Sequence, residues 1–318
     1  MYPNLSYILH DLFGTPVDNF TRYVQTFGLL LACAFLTAAY ALYLELRRKQ
    51  LLFTAQPTKN EKGQMVNVLP HERVGDITMV AAISGLLGAK IFAIFESMDN
   101  IRGFLSDPIH TFFSGSGIAM YGGLIGGFIG VYWFVTRKLK MNALHMMDAV
   151  APALMFAYGV GRIGCQLSGD GDWGIPAGEK PSWWFLPDWM WSFDFPRNVH
   201  EAGVQIEGFV GQYHNHLPVG VYPTPLYEVV MALGIGFFLW SIRKKVEGTA
   251  GVLFMIYLIF NGIERFFIEK IRVNDLLIDT PNLKMTQAEI IAIMLFIIGI
   301  VGWLVLSKRQ KAADASAN

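Results

Sequence analysis

The sequence predicts an all-α polytopic membrane protein of seven transmembrane helices, N-terminus outside and C-terminus cytoplasmic, and two observations carry that prediction. The first is hydropathy. Seven apolar stretches recur along the 318 residues, at Tyr23–Tyr43, Ile77–Phe95, Gly117–Val135, Asp148–Gly164, Leu226–Trp240, Val252–Phe267 and Ala288–Leu306. Several approach the roughly 20 residues that cross a hydrocarbon layer. The second is charge. Cytoplasmic connections hold Lys and Arg and outward ones carry few. Here Arg47, Arg48, Lys49, Lys59, Lys62 and Arg73 follow the first stretch. Basic triplets follow the third (Arg137, Lys138, Lys140), the fifth (Arg243, Lys244, Lys245) and the seventh (Lys308, Arg309, Lys311). Such alternation requires an odd number of crossings, so charge and hydropathy lead independently to seven.

Composition agrees. Hydrophobic residues make up 53% of the chain and charged ones 16%, with a mean hydropathy of +0.39, too apolar for a soluble globule of this length. The net charge is zero and no basic stripe lies outside the short cytoplasmic connections, which excludes nucleic acid as a partner. Ala39-Tyr40-Ala41 resembles a signal-peptide cleavage site, but the positive charges follow the first apolar run instead of preceding it. That order marks a span and not a secretory signal. Cys33 and Cys165 lie far apart, in or at the end of spans, where small-residue packing is expected and a disulfide is not.

The chain reads as a single membrane domain, 1–318, with no internal repeat. Two connections are long. A cytoplasmic loop, 47–75, is polar and rich in turn residues. An outer lobe, 166–222, joins the fourth and fifth helices and holds five of the eight tryptophans: Trp173, Trp183, Trp184, Trp189 and Trp191. Indole favours the membrane interface, and it equally suits a small aromatic core within the lobe. The third span opens with Tyr121-Gly122-Gly123-Leu124-Ile125-Gly126-Gly127. Gly122, Gly126 and Gly130 share one helical face, as close approach of two helix backbones requires. Packing accounts for the glycines but not for Tyr121.

Charges inside apolar spans are costly and therefore mark function, with a structural ion pair as the alternative. Arg162 in Gly161-Arg162-Ile163-Gly164 and Arg265 in Ile263-Glu264-Arg265 are the foremost. Glu269 follows Arg265 by four residues and Arg272 continues the same face, which makes pairing easy. The expected topology carries Arg162 and Arg265 to the outer ends of their helices. Tyr121, Tyr227, Glu228 and Lys90 reach that same level, with Asp170 just beyond the fourth span. Two guanidinium groups at headgroup depth form a site for an anionic phosphate, since their forks grip phosphate oxygens bidentately and stay charged. A phospholipid is the expected ligand. His200, His214 and His216 lie in the outer lobe without a matching third ligand, so no metal is expected.

In order and spacing, four elements resemble the prolipoprotein diacylglyceryl transferase family. They are the segment Tyr121 to Gly126, the run Gly161-Arg162-Ile163-Gly164 through Gly169-Asp170 to Gly174, Tyr222-Pro223 with Leu226-Tyr227-Glu228, and Arg265 with Glu269. The likeness extends from about Gly28 to Asp275, and the Gly-Arg-Ile-Gly block is its most specific part. It implies a multi-pass enzyme of the bacterial plasma (inner) membrane with its active site towards the outer leaflet. Such an enzyme moves diacylglycerol from phosphatidylglycerol to the lipobox cysteine of a prolipoprotein, releases glycerol phosphate and needs no cofactor. By resemblance, Arg162 and Arg265 match the family's essential arginines and Glu269 the carboxylate that follows the second. Tyr121 or Asp170 is expected to take the thiol proton as a further catalytic residue, and Gly122, Gly123, Gly174, Tyr227, Glu228, Lys90 and Glu269 are expected to join the two arginines in substrate binding. Four positions depart from the commoner family pattern: Tyr121 in place of His, Phe27 in place of Tyr, Cys165 in place of Asn and Asp170 in place of Glu. These departures touch proton transfer more than the phosphate site. A phospholipid-binding transporter or scaffold, and a catalytically silent relative, are the alternatives.

Overall fold

The computed structural model describes residues 1–53, 56–59, 65–113, 119–209, 211–274, 276–280 and 283–317. Lys62, Gly117 and Asp275, named above, lie outside them. In chain order the helices are α1 (Leu5–Phe13), α2 (Thr26–Arg48), α3 (Val74–Phe95), α4 (Met98–Ser106), α5 (Pro108–Phe113), α6 (Met120–Trp133), α7 (Ala143–Ser168), α8 (Thr224–Ile242), α9 (Val252–Glu269) and α10 (Gln287–Ala317). Three antiparallel pairs of short strands accompany them: β1 (Gln56–Lys59) with β2 (Met65–Val68), β3 (Val204–Gln205) with β4 (Asn215–His216), and β5 (Leu276–Thr280) with β6 (Leu283–Thr286). Each of the seven apolar stretches holds a helix among the described residues. Five segments, Thr26–Arg48, Pro70–Phe95, Ala143–Ser168, Thr224–Ile242 and Gln287–Ala312, are long and apolar enough to cross a membrane. The other two fall short for identifiable reasons. α6 has 14 residues before its backbone loosens into a π-helical turn at Phe134–Lys138, and α9 has 18 residues but carries Glu264, Arg265 and Glu269.

The chain forms two compact units, Met1–Ala38 with Val150–Asn318, and Ala39–Ala149. In the second unit, α3 and α6 pack backbone to backbone. A Cβ on Gly126 would lie 2.6 Å from the Ser84 carbonyl and 2.8 Å from Gly88 Cα, and one on Gly122 would strike Phe92 and the Gly88 carbonyl. Gly130 faces Ser84 in the same way. The small-residue face read from the sequence is thus a helix–helix seam, and the partner face is supplied by Gly88 and Ser84. The connection expected as a polar loop, 47–75, contains the β1–β2 hairpin and a short 3₁₀ turn at Pro70–Arg73.

The first unit is built on a core shared by three helices: Ala151 and Met155 of α7, Ala232 and Leu239 of α8, and Val252, Leu253 and Ile256 of α9. Sequence numbers rise along α7 and α9, and fall along α8, as one moves from this core toward Tyr158, Glu228 and Arg265. α9 in turn meets α10 through glycines. A Cβ on Gly262 would lie 2.6 Å from the Ala292 carbonyl, and one on Gly299 would lie 2.8 Å from the Met255 carbonyl. α7 ends at Ser168, where Gly169 adopts φ +65° and its N–H caps the Cys165 carbonyl at 3.0 Å. Glycine takes that left-handed conformation without the Cβ penalty.

The lobe that follows has a small aromatic core, and other aromatic side chains of it stay exposed. Phe195 and Asn198 are fully buried. Trp173 and Phe193 pack on Phe195, with ring centroids at 5.3 and 5.0 Å, and Trp191 stands edge-on to Trp184 and Tyr222. Trp183, Phe185 and Trp189 remain exposed. α1, which apolar periodicity alone did not announce, joins this lobe. Arg197 ion-pairs with Asp11 at 2.7 Å, and the Tyr7 hydroxyl accepts from the Tyr213 N–H at 2.9 Å.

Candidate active site

Beyond the apolar core of the first unit, the ends of α7, α8 and α9 deliver a dense set of charges. Glu228, on the second turn of α8, is its hub and is 0% exposed. A carboxylate near a helix N-terminus is favoured by the helix dipole. Arg162 of α7 brings Nε to 2.9 Å from Glu228 Oε2. Arg265 of α9 approaches Oε1 at 3.4 Å, and Arg272, just past α9, at 3.5 Å. The Tyr158 hydroxyl, one turn before Arg162, donates to the same oxygen at 3.0 Å and reaches Glu264 at 3.4 Å. Arg265 also pairs with Glu269 at 3.0 Å, and Asn274 donates to that residue's other oxygen at 2.6 Å. Thus Arg162 and Arg265, 103 positions apart in sequence, share one carboxylate.

A second carboxylate completes the arrangement. Asp172 gives one oxygen to Arg162 and the other to Arg272. Its backbone is fixed from two sides. The Thr224 hydroxyl donates to the Asp172 carbonyl at 2.6 Å, while Gly174 donates to the Tyr222 carbonyl at 2.9 Å and bridges to Arg272. At Gly174 a Cβ would lie 2.5 Å from the Ile271 carbonyl, so only glycine lets the chain pass so close to the end of α9. Burial alone would raise the Asp172 carboxyl, yet Arg162 and Arg272 together hold it below the usual carboxylate range.

Of the sequence-read site residues, Arg162, Arg265, Glu228 and Glu269 meet directly, and Gly174 supports them. Asp170 sits beside them in a different role. Its carboxylate accepts from the Asp172 N–H at 3.4 Å and lies within 4.8 Å of the Cys165 sulfur, which is 3.5 Å from Arg162 Nη1. Burial, then the charge of Asp172, raises its carboxyl above the ordinary value. Tyr227, adjacent to the hub, turns its hydroxyl to the Met190 carbonyl at 2.7 Å and so ties the lobe to α8. Tyr121, Gly122, Gly123 and Lys90 belong to the other unit, where Gly122 and Lys90 are buried between or within α6 and α3. Gly123 there faces Ala89 and Gly85 at ordinary contact distance.

Sequence reasoning missed Asp172 and Tyr158, and it gave Arg272 only a place on the face of Arg265. The signal for Asp172 was present, since Gly169-Asp170-Gly171-Asp172 offers two aspartates to one site. Among the described residues, Cys165, Asp170 and Asp172 bring three potential metal donors within 4.8 Å of one another. Both oxygens of Asp172 are committed to guanidinium groups, and this fixed positive charge opposes a cation. The lobe histidines are engaged locally: His200 Nε2 with the Asp170 carbonyl at 2.6 Å, and His216 Nδ1 with Asp194 at 3.2 Å. Chemically, the cluster suits a group with several anionic oxygens, because three guanidinium groups converge on one carboxylate, Glu228.

The family model described as prolipoprotein diacylglyceryl transferase matches residues 19–305. Among similar curated proteins are phosphatidylglycerol–prolipoprotein diacylglyceryl transferases from three bacteria. That of Leptospira interrogans is 26% identical over 79% of this chain and 72% of its own length. That of Clostridium novyi is 29% identical over 76% and 82%, and that of Staphylococcus haemolyticus 31% over 73% and 73%.

Proposed function

The chain belongs to the prolipoprotein diacylglyceryl transferase family, and we propose that it transfers the diacylglyceryl group of phosphatidylglycerol to the lipobox cysteine of bacterial prolipoproteins. The observation that carries this reading is the convergence of Arg162 and Arg265 on Glu228, with Arg272 beside them. The thiolate of the substrate cysteine attacks the glyceryl carbon next to the phosphate. A C–S bond forms, the C–O bond breaks, and glycerol phosphate leaves with the electron pair. Arg162 and Arg265 hold the phosphate and neutralise the charge that grows on the leaving oxygen, a preorganised effect of the kind worth about 10²–10³ in rate per donor.

Glu228 and Glu269 orient the two forks. A free thiol titrates near ~8.5, so it needs a base or a positive field. Asp170 takes the proton, and the guanidinium groups favour the anion. Tyr121 is the weaker candidate for the base, since a phenol with a pKa near ~10 is a poor one. By the family resemblance, Gly122, Gly123, Gly174, Tyr227 and Lys90 take part in substrate binding. The protein is a seven-span resident of the bacterial plasma membrane, with its C-terminus cytoplasmic and this site towards the outer leaflet. The alternation of basic segments supports that orientation.

The test uses purified protein, phosphatidylglycerol and a lipobox peptide, with mass spectrometry of the peptide. Gain of one diacylglyceryl group is expected. Arg162→Lys and Arg265→Lys each lower turnover by about 10²-fold, because an ammonium lacks the fork. An unmodified peptide would mean that the site holds lipid without breaking a bond.

A further inference from the structure

The guanidinium cluster is already neutralised by the protein itself. Glu228 meets Arg162, Arg265 and Arg272, Glu269 meets Arg265, and Asp172 meets Arg162 and Arg272. A lipid phosphate adds one more negative charge, so a bidentate grip requires that a carboxylate give up its arginines. The three carboxylates differ in their capacity to do so. Glu228 is wholly buried within α8 and bonded on several sides. Glu269 is buried on α9, with Asn274 on its second oxygen. Asp172 alone of the three is partly exposed, at 24%, and stands outside any helix. Its two oxygens divide between two guanidinium groups, as the two non-bridging oxygens of a phosphodiester would.

We propose that Asp172 is a place-holding anion of the lipid site: its carboxylate keeps Arg162 and Arg272 at the spacing of a two-oxygen anion and yields that place to the phosphodiester of an anionic phospholipid. Arg272 thereby becomes a third arginine of the phosphate site. The exchange is a side-chain rotation and not an opening of the loop, because the Asp172 carbonyl stays on Thr224 and Gly174 stays on Tyr222. Asp170 does not share the role, since among the described residues the ion pairs of Arg162 and Arg272 go to Asp172 and Glu228 and the Asp170 carboxylate accepts from the Asp172 N–H. The inference rests on the reading that this cluster binds a lipid phosphate, but it is tested without turnover.

The full-length protein in phosphatidylcholine nanodiscs is titrated with glycerol phosphate, and binding is read by calorimetry. Removing a competing charge predicts that Asp172→Asn binds glycerol phosphate at least about tenfold more tightly than wild type. Asp188→Asn, in the exposed Lys180–Asp188 pair of the lobe, serves as a control and leaves affinity unchanged. Equal or weaker binding by Asp172→Asn overturns the proposal. Should that variant not fold, Asp172→Glu answers with the opposite sign. The same charge on a longer stem reaches both arginines more readily, so affinity drops below wild type, and unchanged or tighter binding overturns the proposal. Phosphatidylglycerol added to the nanodisc must weaken glycerol phosphate binding by competition. If it does not, the site takes soluble phosphate and the lipid assignment falls. An inactive wild type whose Asp172→Asn variant binds more tightly would remove the transferase reading alone. An active wild type whose variant binds no more tightly would remove the place-holder alone.

Discussion

Positions 170 and 172 show how two like residues, two apart, are driven to opposite states. Burial raises the Asp170 carboxyl, whereas the Arg162 and Arg272 guanidinium groups outweigh burial at Asp172 and lower it. Paired carboxyls with diverging pKa values mark a division between a proton carrier and a fixed charge. As the base, Asp170 works only when ionised, so the rate is lost as pH falls through its folded pKa, which lies above the ~3.9 of a free aspartate. Asp172 does not produce that limb. Its folded pKa is depressed, so its contribution to stability is present above the unfolded value and is lost only as pH falls through the lower folded one. Cys165, Asp172, Arg162 and His200 are the ionisable neighbours of Asp170. The expected kcat/KM profile for thioether formation has an acid limb that Asp170→Asn abolishes together with most of the rate and that Asp170→Glu retains. A limb unchanged in Asp170→Asn would assign the base elsewhere. Arg162, Arg265, Glu228 and Glu269 were legible in the sequence because charge inside an apolar span is too costly to be idle. Asp172 was passed over, although Gly169-Asp170-Gly171-Asp172 offered it, because it lies past the end of its span, where charges are cheap. Tyr158 was not, because an aromatic among apolar residues carries no signal until a partner reaches its hydroxyl.

Among the elements, each apolar stretch became a helix, since backbone groups in hydrocarbon must be satisfied within the segment. The short amphipathic pieces α1, α4 and α5 and the three hairpins escaped. α1 is held by a contact distant in sequence, Asp11 with Arg197, and α4 by partners close in sequence, such as Asn100 donating to the Ala93 carbonyl. The α3–α6 seam is the element whose sequence signal translated most directly into geometry, and it makes a sharp prediction. A Cβ at Gly126 meets only backbone, at Ser84 and Gly88, so nothing flexible can move aside and Gly126→Ala separates the helices. Overpacking of this kind costs about 1–3 kcal/mol. Gly75, in the first turn of α3, has open space around its missing Cβ. Gly75→Ala is therefore neutral or stabilising by up to about 1 kcal/mol, as alanine loses less entropy in a helix. Thermal unfolding of the two purified variants at one heating rate measures the difference. A Gly126→Ala midpoint at or above wild type would show that the seam is slack.

For the molecule as a whole, the number of crossings decides where the proposed site faces, and charge separates the two possibilities. If only the five long apolar helices cross, α2, α3, α7, α8 and α10, then the triplets Arg137, Lys138, Lys140 and Arg243, Lys244, Lys245 fall outside and the Trp-rich lobe falls inside. If α6 and α9 cross as well, every basic segment is cytoplasmic and the lobe is outside, which satisfies the rule that governs orientation. The short α6 does not forbid this. Its 14 residues rise about 21 Å, the π-helical turn to Lys138 continues it, and a bilayer thins locally around a short span at modest cost. The charges of α9 are no obstacle either, for they pair within the cluster instead of facing lipid. Alkaline phosphatase, which needs an oxidising compartment to form its disulfides, reports the difference when fused in turn after Lys140, Pro187 and Lys245. Seven crossings predict activity only at Pro187. Activity at Lys140 and Lys245 with silence at Pro187 would establish five crossings, move the arginine cluster to the cytoplasmic face and deprive it of the outer-leaflet lipid on which the proposed transfer depends.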